Sequence, residues 1–370
     1  MKMRFMNLQR EEPNQSRSPS GRRGMVIYGL AILSLVFFLV TRFFPLNPEG
    51  INILRLAAKE MEAAVNIIRT CRQAKALSFD LQADPNQTGL IGLRSSILTT
   101  SLGQLEAKRT TTNPDLAALI VYFLRQAGVK QGEAVAIGAS SSFPALIIAS
   151  LAAAKALKIT PLYIVSLGAS QWGANDPQFT WLDIQDCLRK AGWLPYEPVA
   201  VSLGGAKDLG LGMAAEGKEL LLELAQAKGL RLISEPDLEK NVALRLSLYE
   251  TAAKGKRLAA FINIGGGWAN MGESEEILHL PPGLNIIDRS ISTAKGVVWE
   301  MARRQIPVVH LLYIKGLAEK FGLPWDPQPL PRVGQSAFYL EARRSSGHFK
   351  LLVSVYLLIS FVLIILYRFS

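Results

Sequence analysis

A chain of 370 residues and 40.5 kDa has the length for two or more domains, and its core needs no disulfide or metal staple to fold. Hydrophobic residues at 49% against 19% charged, with a mean hydropathy of +0.20, exclude a largely disordered polyelectrolyte and point toward lipid. Lys and Arg number 41 against 30 Asp and Glu, a net charge of +11, which suggests an acidic partner unless the excess is local.

The excess is local. Residues 1–44 carry seven basic and two acidic side chains and residues 343–370 carry four and none, which leaves 45–342 with thirty against twenty-eight. The basic excess therefore flanks two uncharged apolar runs, MVIYGLAILSLVFFLVT at 25–41 and LLVSVYLLISFVLIILY at 351–367, each 17 residues long. At 1.5 Å per residue this is the lower limit for a hydrocarbon core, and flanking aromatics extend both runs. The sequence thus predicts a disordered basic tail over 1–24, a transmembrane helix over 25–44, a domain over 45–342, a juxtamembrane segment over 343–350, a second transmembrane helix over 351–367 and a short tail over 368–370. No small-x-small cleavage site follows the first run, so it reads as a signal anchor rather than a cleaved leader. Six basic residues before it (Lys2, Arg4, Arg10, Arg17, Arg22 and Arg23) place both termini in the cytoplasm and the domain outside, in a two-pass cell-membrane protein. Arg343, Arg344 and Lys350 on the outer flank of the second run oppose that orientation. With the charge on the anchors, nucleic acid is not an expected partner and the lipid bilayer is.

Along the domain, Leu54, Ala58, Met61, Val65 and Ile68 recur at helical spacing and predict a helix over 53–72. Asn113-Pro114-Asp115 starts another, which Gly128 ends. Apolar runs at 134–137, 162–167, 199–203 and 259–264 each close on glycine, and a fifth spans 307–314. Helical segments at 144–157, 215–228, 238–254 and 294–304 alternate with them. This alternation predicts an α/β fold, a mostly parallel sheet with helices on both faces, flanked by the two transmembrane helices. Ligands of such sheets bind at the carboxyl ends of the strands, where Gly, Ser, Asn and Trp collect here. The only cysteines, Cys71 and Cys187, could bridge in an oxidising space, though two buried thiols are the plainer reading. No metal-ligand spacing or cofactor motif stands out, so no cofactor or metal is expected.

Four loops gather candidate ligand-binding residues. GASSSFPAL at 138–146 puts Ser140, Ser141 and Ser142 before a helix with Pro144 in its first turn, an arrangement for an anion or simply a serine cap. It is also one residue from the GxSxG elbow, which makes Ser140 a candidate nucleophile with His279 or His310 to serve it. LGASQWGANDPQFTWLDI at 167–184 offers Ser170, Trp172, Asn175 and Asp176, or a packed turn. SLGGAKDLGLG at 202–212 brings Gly204, Gly205, Lys207 and Asp208, and FINIGGGWANMG at 261–272 brings Gly265, Gly266, Gly267 and Asn270, beside backbone that glycine lets a ligand approach. GMAAEGKE at 212–219 resembles a phosphate loop but has glutamate in place of the magnesium-binding hydroxyl, and reads as an ordinary helix start.

These four strings together resemble the poly-γ-glutamate system proteins, bacterial membrane proteins of the capsule-polymer machinery. The resemblance spans most of the domain and implies an accessory role in synthesis or export of the polymer, with the polymer or synthase subunits as partner. It carries no catalytic residues. The alternative is a membrane-anchored serine hydrolase or amide-transfer enzyme acting on the polymer.

Overall fold

The computed structural model describes residues 19–43, 48–287, 293–344 and 347–368, so the expected disordered tail lies, through residue 18, outside the described residues. The chain divides into two units, one of residues 1–48 with 343–370 and one of residues 49–342.

Helix α1 (Pro19–Phe43) opens the first unit. The second begins with α2 (Pro48–Ala74), which buries the expected stripe of Leu54, Ala58, Met61, Val65 and Ile68. An irregular segment over 77–104 follows, then α3 (Leu105–Thr111) and α4 (Asp115–Gln126). The Asn113 Oδ1 accepts from the Asp115 amide at 3.0 Å, but the helix starts one residue later than expected, with Pro114 rather than Asn113 at its cap position. The α/β alternation runs through β1 (Ala134–Ser140), α5 (Pro144–Leu157), β2 (Thr160–Ser166), the small hairpin of β3 (Asn175–Asp176) and β4 (Phe179–Thr180), α6 (Trp181–Lys190) and β5 (Ala200–Ser202). It continues through the short ladder of β6 (Gly204–Gly205) and β7 (Leu209–Leu211), α7 (Ala215–Ala227), β8 (Leu232–Ile233), α8 (Leu238–Ala253), β9 (Leu258–Ile264) and α9 (Trp268–Met271). Then come β10 (Gly283–Asn285), α10 (Val297–Arg303), β11 (Val308–Leu311), α11 (Ile314–Phe321) and α12 (Phe338–Arg344).

Seven strands form one sheet in the order β10-β11-β9-β1-β2-β5-β8, parallel except for the edge strand β10. From β1 the chain steps outward through β2, β5 and β8, then returns to the other side of β1 as β9. The direction of winding therefore reverses between β1 and β9, which opens a crevice at their carboxyl ends. Strand β1 is buried on both faces. Its Val135, Ile137 and Ala139 pack with α4 and α5 in one apolar cluster, and its Ala134 and Ala136 face α8 and α10 in the other. Helix α5 is apolar on nearly every side because it sits between the sheet and α4, and its alanines admit close approach.

Two expectations shift at their edges, and two short edge strands lie outside them. The fifth apolar run is strand only to Leu311 and turns helical at Ile314, the helix expected from 294 begins at Val297, and the edge strands β8 and β10, two and three residues long, are too brief to show a period. The cysteines correct the plainer reading: Cys71 of α2 and Cys187 of α6 are bridged, with Cα atoms 6.0 Å apart. Both helices pack on the same face of the sheet, which brings residues 116 apart in sequence within disulfide range.

Helix α13 (Gly347–Arg368) returns to the first unit. Arg23–Phe43 of α1 and Phe349–Arg368 of α13 have mean hydropathies of 2.4 and 2.6 and are long and apolar enough to cross a membrane. They pair antiparallel: Arg23 lies over the Tyr367 ring, Phe37 stacks on Tyr356, and the Ser34 and Tyr356 hydroxyls hydrogen-bond at 3.0 Å. Many of their other apolar side chains, Ile27, Phe38, Leu351 and Phe361 among them, are exposed, as lipid-facing residues are.

Candidate functional site

The crevice at the winding reversal is a cleft of about 780 Å³. Strand β1 ends in it with Ser140, Ser142 and Phe143, and β2 with Ser166, Gly168 and Ser170. Gly204, Gly205 and Gly212 form one wall, and Gly266, Gly267 and Trp268 after β9 form another. Tyr313 and Lys315 follow β11 at the mouth, while residues 100–104 of the irregular segment and Lys108 of α3 complete the lining. Every strand end near the reversal contributes small residues, because the backbones converge there and leave little room for side chains. Gly138 is the clearest case: a Cβ on it would lie 2.4 Å from the Asn270 amide nitrogen. Gly265 turns the chain out of β9 with φ +74°, a conformation glycine adopts freely.

Lys108 is the electrostatic centre of the cleft. Its side chain is almost fully buried, with Nζ donating to the Ser142 carbonyl at 2.5 Å, 2.8 Å from Ser170 Oγ and 3.6 Å above the centre of the Phe143 ring. No carboxylate pairs with it among the described residues. The ring face and the carbonyl compensate the ammonium in part, yet burial lowers the pKa from its ordinary 10.5 to about 7. The serines around it form a connected set: Ser140 Oγ donates to Ser142 Oγ at 2.9 Å, which also accepts from the Ser170 amide at 2.9 Å.

Seven of the fifteen candidate ligand residues meet in this cleft: Ser140, Ser142, Ser170, Gly204, Gly205, Gly266 and Gly267. The others lie outside it. Ser141 is fully buried, its amide donating to the Ser166 carbonyl, and Gly265 packs behind Ser140 and Phe143. The Asn270 side chain fills the space above Gly138. Asn175 clamps the irregular segment, accepting from the Leu93 amide and donating to the Leu93 carbonyl and the Thr99 hydroxyl. Trp172 reaches the same segment through its backbone, from a left-handed φ of +63°. Asp176 pairs with Arg72 at 3.0 Å and lines a smaller cavity of about 480 Å³ with Asp84. Lys207 is exposed. Asp208 is buried against Arg245 at 2.5 Å and accepts from the Ser202 hydroxyl and the Gly204 amide, so this ion pair braces the glycine wall from behind.

Neither histidine serves Ser140. His279 is exposed on a short 3₁₀ turn, and His310 is buried in β11. The Asn263 amide nitrogen donates to the Gly265 carbonyl and faces His310 Nδ1 at 3.1 Å, so Nδ1 is the acceptor and the ring proton sits on Nε2. Burial lowers the His310 pKa to about 4, which keeps the ring neutral. Lys108, the segment 100–104 and, after β11, Tyr313 and Lys315 escaped the sequence reading. The available signal was a lysine followed by Arg and three threonines ahead of a capped helix, and an irregular stretch too long for a plain connection. No family model, curated protein or solved structure matches the chain.

Proposed function

We propose that the protein is a membrane-held accessory of poly-γ-glutamate synthesis or export, and that its cleft takes the anionic polymer or an anionic segment of a synthase partner. The carrying observation is the charge of the lining: the Lys315 cation at the mouth, the Lys108 amine, hydroxyls and glycine backbone, and no Asp or Glu among the described lining residues. A concave site with a cation and donors and no internal anion gains most from a carboxylate ligand. The Gly266 and Gly267 amides donate to no group among the described residues and add to the donors. Trp268 and Tyr313 offer flat apolar surface to the methylenes of a γ-linked chain.

Two further facts support the reading. The sequence strings that resemble the poly-γ-glutamate system proteins include those that build the cleft. The Cys71–Cys187 bridge belongs to an oxidising compartment, in keeping with a domain outside the cytoplasm and both termini inside. The test is binding of a fluorescent γ-linked glutamate oligomer by the full chain in detergent, with the uncharged γ-linked glutamine oligomer as control. The glutamate oligomer is expected to bind with an affinity that falls as salt rises, and Lys315→Ala to weaken it about tenfold. Equal binding of the two oligomers, or of neither, overturns the proposal.

A further inference from the structure

Among the described residues, Ser170 is the cleft hydroxyl that touches an amine. Its Oγ lies 2.8 Å from Lys108 Nζ, while the Ser142 carbonyl holds one Nζ hydrogen at 2.5 Å. Protonated, Nζ donates to Ser170 Oγ; neutral, it has a lone pair that rotation about Cε–Nζ turns onto the same line, so that the hydroxyl donates and the amine accepts. The Ser170 amide is itself held, donating to Ser142 Oγ at 2.9 Å, so nucleophile and base are fixed to the same turn after β1. We propose that Ser170 and Lys108 form a nucleophile–base pair that cleaves or transfers an amide bond of a carboxylate-bearing chain lying in the cleft.

The chemistry needs a neutral amine, and the environment supplies one. A surface lysine is protonated at neutral pH and cannot accept a proton; Lys108, buried without a carboxylate, is held to a pKa of about 7. In the acylation step Ser170 Oγ bonds to the carbonyl carbon and its proton moves to Lys108 Nζ. The tetrahedral adduct then breaks its C–N bond, and the same proton passes to the departing amine nitrogen. The Ser170 ester is next attacked by water, which gives a proton to Lys108 as the new C–O bond forms. Breakage of the C–Oγ bond returns that proton to Ser170 and releases the carboxylic acid. An amine end of a second chain in place of water gives transfer. This replaces the elbow serine, Ser140, which has no histidine beside it and donates to Ser142 instead.

The choice of an anionic γ-amide chain rests on the binding reading above; the nucleophile does not. The experiment treats the full chain in detergent with a fluorophosphonate probe and maps the modified residue by mass spectrometry, while a γ-linked glutamate oligomer is assayed for new amine ends. The expected result is a label on Ser170, lowered about 100-fold in Lys108→Met, and amine ends that appear with the wild type and not with Ser170→Ala. Ser170→Cys keeps the side chain's size and guards against a folding defect: its alkylation by iodoacetamide is expected to slow about tenfold when Lys108→Met is added. A wild type without label, or a label that persists in Ser170→Ala, overturns the proposal. Oligomer binding without label or new ends overturns the nucleophile and keeps the binding reading, whereas label without oligomer binding does the reverse.

Discussion

Lys108 makes the cleft costly at the level of one side chain. In the unfolded chain its amine holds a proton up to about pH 10.5, and in the fold it gives that proton up near 7. Between those values the unfolded state binds more protons, so stability rises with pH across this window, by up to about 1.4 kcal/mol per unit from this group. Below about pH 7 both states are protonated and the full penalty of burying the charge is present. Lys108→Met removes the group and its slope. Melting curves of the two proteins at pH 7.5, 8.5 and 9.5 are therefore expected to converge upward in favour of the wild type, and parallel curves would contradict the burial argument. A core that retains such a cost at the winding reversal, beside hydroxyls and away from any carboxylate, bears the mark of a site kept for chemistry.

Among the elements, β1 and its exit turn do most to shape the cleft. Gly138 sits in the middle of a fully buried strand, where its missing side chain admits the Asn270 amide. Gly138→Ala is expected to cost about 1–3 kcal/mol by overpacking, and less in an Asn270→Ser background, a coupling that a double-mutant cycle of denaturation midpoints measures. The strand-turn-helix pattern of GASSSFPAL was legible in the sequence because the whole unit is local: an apolar run, small residues, and proline at the first helical position. So were β2, β9 and the amphipathic α2, whose periods are long enough to read. Lys108 was legible only as a lysine before Arg and three threonines, since its role depends on α3 packing beside two strand ends, and that local pattern does not name the neighbour. Asp208 misled for the same reason in reverse. Its loop chemistry reads as ligand binding, and only Arg245, 37 residues on, shows that the carboxylate is already engaged.

For the molecule as a whole, the net charge of +11 belongs mostly to the segments around α1 and α13, and residues 45–342 are close to neutral. Attraction of a polyanion by a broad basic surface is thus unavailable to the domain, and recognition falls to the few donors gathered in the cleft. The bridge between Cys71 and Cys187 has a further consequence for a molecule cut open. It encloses α3, the irregular segment, β1, α5 and β2, and with them both Lys108 and Ser170, in one covalent ring whose closure contributes on the order of 4 kcal/mol to the fold. One protease cut at the exposed Leu102 lies inside that ring. Such a nicked chain is expected to migrate as one band on a denaturing gel without reductant and as two with it. Two bands without reductant would mean that the thiols are unpaired. A protein built this way can lose a peptide bond at the lip of its cleft and still keep every fragment that forms it.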